Sequence, residues 1–107
     1  MKPEDVDKVR LALAEWRGAD ALVWLYHASH RQFTLRLHRG GARGNLHVIL
    51  FGCSFFSAPS QWREADLAFD GVPTEEPFPE YVISDASAKF VVRCTHATIE
   101  RDVEPVY

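Results

Sequence analysis

The sequence predicts an α+β fold, with an N-terminal helix packed on a mostly antiparallel sheet of five or six strands. Two observations carry this. Apolar residues recur at helical spacing near the N-terminus, and runs rich in Val, Ile, Phe, Trp and Tyr, divided by short turns, fill most of the rest. The length fits one domain over residues 1–107, in which ~60–68% of the extended chain's surface becomes buried. Hydrophobic residues are 47% of the chain and charged residues 25%, which supplies a core and excludes a disordered chain.

"PEDVDKVRLALAEW" reads as the helix. Val6, Val9, Leu13 and Trp16 recur at three- and four-residue steps and share one face. Pro3, Glu4 and Asp5 suit its N-terminal end, and Gly18 suits a left-handed cap after its last turn. The stripe is expected to pack on the sheet face that holds Trp24. "ADALVWLYHAS" is extended, with Leu22, Trp24 and Tyr26 on one face and Val23, Leu25 and His27 on the other. "QFTLRLH" alternates, with Phe33, Leu35 and Leu37 facing in and Thr34, Arg36 and His38 facing solvent. "RGGARGN" is a turn, and "LHVILFGCSFF" is a long strand with a bulge or bend at Gly52, ended by Pro59. These three strands form a meander.

"WREADLAFD" is read as a strand, since Ala65, Leu67 and Phe69 alternate with acids, although Trp62, Ala65 and Phe69 also fit helical spacing. "DGVPTEEPFPE" is loop. "YVIS" and "KFVVRCTHATIE" pair around "DASA", with Phe90, Val92, Cys94 and His96 on one face. The tail "RDVEPVY" is either docked through Val103, Val106 and Tyr107 or loose.

Charge is divided unevenly. Residues 21–63 hold Arg31, Arg36, Arg39, Arg43 and Arg63 and no acid, while residues 64–107 hold ten acids against three bases. The opening "MKPEDVDKVR" is acidic where a secretory leader is basic, so a cytoplasmic location is expected. No apolar run is long enough to span a bilayer, and no membrane partner is expected.

Cys53 and Cys94 lie in apolar runs, which favours two buried, reduced thiols over reactive ones. Cys53, Cys94 and His96, with His47, have the ligand types of a zinc site, but no CxxC, HExxH or helical His pair is present. No metal or cofactor is therefore assigned. A thiol nucleophile would need a base such as His27 or His96 brought to Cys53, and no GxSxG frames a serine. The glycines of "RGGARGN" lack the Lys-Ser/Thr pair of a phosphate loop, and a strand follows where that loop needs a helix.

The preferred reading is a non-catalytic protein-interaction or structural domain that self-associates as a homodimer. Arg36, Arg39, Arg43 and Trp62 are the candidate interaction residues. The alternative is a small nucleic-acid binder using the arginine-rich hairpin of residues 31–43, which an acidic chain total disfavours. The third reading is a metal- or thiol-dependent enzyme.

Overall fold

The computed structural model describes residues 6–41, 44–75, 77 and 79–103, the side chains of 102 and 103 excepted. Pro3, Glu4 and Asp5, Arg43 and the tail beyond Val103 lie outside them. Helix α1 (Val6–Glu15) is followed by β1 (Asp20–His27), β2 (Gln32–His38), β3 (Asn45–Phe51), β4 (Phe55–Ser57) and β5 (Gln61–Trp62). Then come β6 (Ala68–Gly71), β7 (Tyr81–Asp85), β8 (Phe90–Cys94) and β9 (His96–Val103).

The helix packs against a five-stranded antiparallel sheet in the order β5-β1-β2-β3-β9, as the sequence predicts. The remaining strands form a second sheet, β4-β8-β7-β6, also antiparallel. Their inner faces share a core. Phe33, Leu35 and Leu37 of β2 and Leu46, Val48 and Leu50 of β3 meet Phe69, Ile83, Phe90 and Val92 of the second sheet. Helix α1 spans from β9 to β6 and buries Val9, Ala12 and Leu13. Gly18, at φ +90, ends it, and its N–H donates to the Ala65 carbonyl.

The two sheets are joined by a bent ribbon. β3 pairs with β9, and their continuations β4 and β8 pair with each other in the second sheet. Each strand must turn a corner between the sheets. On one side the corner is Gly52, at φ +65, and on the other it is Thr95. The Thr95 N–H and hydroxyl both donate to the Phe51 carbonyl, at 2.9 and 3.1 Å. The corner also explains Cys53. Strand parity would place it with His47 and Ile49, but the turn at Gly52 carries it into the core.

Three local readings change. "KFVVRCTHATIE" is two strands in two sheets, broken at Thr95, so Cys94 and His96 do not share a face of one strand. Residues 62–70 are not one strand. β5 ends at Trp62, Glu64 takes a left-handed conformation, and β6 starts at Ala68 in the other sheet. Trp24 is the extra residue of a bulge between the pairs Val23↔Leu35 and Leu25↔Thr34. It lies with Arg36 and His47 on the outer face, away from the helix.

Candidate functional site

The outer face of the five-stranded sheet is built around Arg36, on the central strand β2. Sequence alternation places this side chain outward, where it is expected in solvent, yet it is only 3% exposed. Trp24 covers it, with the guanidinium carbon 3.4 Å from the ring centroid. Its Nε–H donates to His47 Nε2 at 2.8 Å, so the His47 ring is neutral and carries its proton on Nδ1. Burial, then the Arg36 charge, pulls the His47 pKa below its ordinary value, and Glu100 opposes this in part.

Arg39 and Trp62 also have partners within the chain. Arg39 stacks on Trp16 and donates from Nη1 to the Glu15 carbonyl at 2.8 Å, which satisfies a free carbonyl at the end of α1. Trp62 is half-buried beside Phe90 and donates its indole N–H to Asp85 Oδ2 at 2.9 Å. Arg31, Arg36 and Arg39 do not form a basic ribbon. Arg31 is at the far end of β2 from Arg39, and Arg36 is under Trp24 between them.

Asp85 holds β5, the following loop and the β7–β8 hairpin together. It is 2% exposed and accepts from Trp62, from the Asp66 N–H, and from the N–H and hydroxyl of Ser87. Burial would raise its pKa, but these bonds outweigh it and hold the carboxyl below its ordinary range.

Both thiols are buried and unpaired. Burial is the first cause in each case, and it pushes Cys53 up to about 11 and Cys94 up to about 12. His96 stacks on Phe51, its partner across the β3–β9 ladder. Among the described residues no group of three or more His, Cys, Asp or Glu side chains is placed to hold a metal ion.

Two features emerge that sequence spacing did not single out. One is an apolar end of the molecule where Tyr26 and Phe56 are exposed by 39% and 40%, flanked by Leu25 on the outer face of the first sheet and Phe55 on the outer face of the second, exposed by 44% and 54%. Tyr26 and Phe56 meet at 4.8 Å between centroids, and Phe56 also touches Phe33. The signal was present, because residues 53–61 form a run with no charged residue that contains "FF". The other is a half-open cavity of about 450 Å³ at the opposite end of β1, bordered by Asp20, Leu22, Arg36, Gln61, Trp62 and Arg63.

No family model, curated protein or solved structure matches this chain. The molecule is a small, compact globular domain of radius of gyration 13.0 Å that carries no motif typical of an enzyme.

Proposed function

We propose that this domain acts by binding protein, and first of all a second copy of itself, through the apolar end where Tyr26 and Phe56 meet, with Leu25 and Phe55 flanking them on the outer faces of the two sheets. The observation that carries this reading is the half-exposed Tyr26–Phe56 contact, 4.8 Å between centroids, beside an uncharged segment. At ~150–250 Å² per large side chain, the four leave on the order of 350 Å² exposed. Patches of that size are often functional. A stable dimer buries about 800 Å² on each partner, so the surrounding Ser, Ala and Pro residues of 54–60 would supply the remainder.

The choice of a second copy rests on charge. A two-fold interface apposes the same patch on both chains, and any charge in it meets its own kind. Residues 53–61 bring none, and Arg93, the cross-strand neighbour of Phe55, is paired with Glu80 at 3.5 Å. The other long edge, β9, carries Glu100 and Arg101, charges that discourage strand-to-strand association. Arg39 remains exposed at the end of α1 and fits the rim of a polar contact better than its centre. The nucleic-acid alternative has weaker support, because, of its described arginines, Arg31 and Arg39 lie at opposite ends of β2 and Arg36 is buried.

The test is molar mass by light scattering from micromolar to millimolar protein, at low and high salt. The wild type should pass from monomer to dimer, with little dependence on salt. Phe55→Ser should stay monomeric and keep its urea midpoint, since Phe55 stands mostly in solvent. A wild type that remains monomeric throughout would overturn self-association. Salt-sensitive binding to mixed duplex DNA or RNA by that monomer would favour the alternative.

A further inference from the structure

We propose that the cavity beside β5 is a binding site for a small organic acid, a molecule with one anionic oxygen group next to a hydroxyl or amino group. Its floor is Leu22, which lies between Gln61 on one side and Arg36 on the other in the cross-strand register. Asp20, directly opposite His38, closes one end. Trp62 and Arg63 form the wall on the β5 side. A volume of about 450 Å³ is within the range of sites that enclose small molecules.

The chemistry of the lining selects the ligand. Among the described residues, Asp20, Gln61 and Arg63 make no side-chain hydrogen bond or ion pair, although they border one cavity. An acid and a base that share a recess without meeting each other leave room for a ligand that bridges them. Arg63 offers forked donors suited to a carboxylate or phosphate. The Arg36 charge, fixed in position by Trp24 and His47, adds to the positive potential at the opposite wall. Asp20 accepts from a hydroxyl or ammonium group on the ligand, and Gln61 can do either. Leu22 and the exposed part of Trp62 give the body of the ligand an apolar surface. The site is at the far end of β1 from the apolar docking face, so it stands independently of the self-association reading.

The experiment is a titration of the 15N-labelled protein, followed by NMR, with four probes: inorganic phosphate, acetate, lactate and glycine. Saturable shifts are expected for residues 20–22, 36, 38 and 61–63, with lactate or glycine binding more tightly than acetate. Arg63→Gln should weaken every anion by about tenfold or more, as expected when a charge-assisted bond is lost. Asp20→Asn should remove the advantage of lactate and glycine over acetate while acetate itself binds at least as well. Both residues are exposed, so the fold is retained, and an unchanged amide spectrum away from the site checks this. Shifts that never saturate, that appear equally at Arg17, Arg31 and Arg93, or that survive Arg63→Gln would overturn the site.

Discussion

Gly52 is held by two constraints at once. Its φ of +65 is disfavoured for any other residue type, and a Cβ placed there would be 2.4 Å from Thr95 Oγ1. Gly52→Ala should therefore cost about 1–3 kcal/mol or more in urea unfolding. The double variant with Thr95→Ala separates the causes. It removes the collision and leaves the backbone strain, so part of the loss should return in a double-mutant cycle. Full additivity of the two single changes would show that the collision is absent. Acid sensitivity is also set by single residues. The His47 pKa is lowered by folding, so the unfolded chain takes up a proton first as pH falls. Stability should begin to fall near pH ~6.5, the ordinary histidine value. His96, also lowered, adds to this step. The Asp85 pKa is lowered as well, so its contribution is present above the ordinary carboxylate value of ~3.9 and is lost as pH falls through its folded value. Denaturant midpoints against pH should show an early decline that His47→Gln reduces. They should also show a later one that Asp85→Asn changes, with a loss in the Asn variant already present at neutral pH. A flat profile between pH 7 and 5 in the wild type would contradict the histidine assignment.

Elements with one dominant period were legible in the sequence, and elements that change partners were not. The α1 stripe and the inward row Phe33, Leu35, Leu37 follow from spacing alone, because one face of each meets a continuous core. Leu13→Ala should accordingly cost ~2–5 kcal/mol, and a urea midpoint close to wild type would deny its burial. Alternation assumes that a strand stays in one sheet. Residues 89–100 do not, since Thr95 breaks them between two sheets, and no glycine or proline announces the break. Residues 62–70 alternate well but belong to two edges, linked through Asp85, whose role depends on a partner 19 to 23 positions away. The bulge at Trp24 defeated parity in the same way, because one unpaired residue reverses every side chain after it. The two hairpins share a device that composition hides. Each closes with a short 3-10 turn followed by a left-handed residue, Arg31 in one and Lys89 in the other, where glycine would be the usual signal.

Across the whole molecule, part of the acidic half of the chain is met by bases near the N-terminus. Exposed ion pairs join distant segments: Arg10 with Asp70, Arg17 with Asp66 and Arg101 with Glu15. Each is worth little alone. Two of them set bases of residues 10–17 against acids of the acidic half, and the third sets Arg101 of β9 against Glu15 of the helix. The segment 53–61 carries no charge, and of the arginines of the hairpin Arg36 is covered by Trp24 and Arg39 is bonded to the end of α1.

The bent ribbon has a consequence for the order of folding. The β1–β2 and β7–β8 hairpins close locally, but neither sheet is complete until residues 45–57 find residues 91–103. Such pairing between remote segments must overcome a large loss of chain entropy before any contact repays it, and it slows folding. The corner at Gly52 and Thr95 is where that encounter fixes both sheets together. Gly52→Ala should therefore lower the refolding rate in stopped-flow denaturant jumps. Leu13→Ala, in a helix that docks on a finished surface, should act chiefly by speeding unfolding.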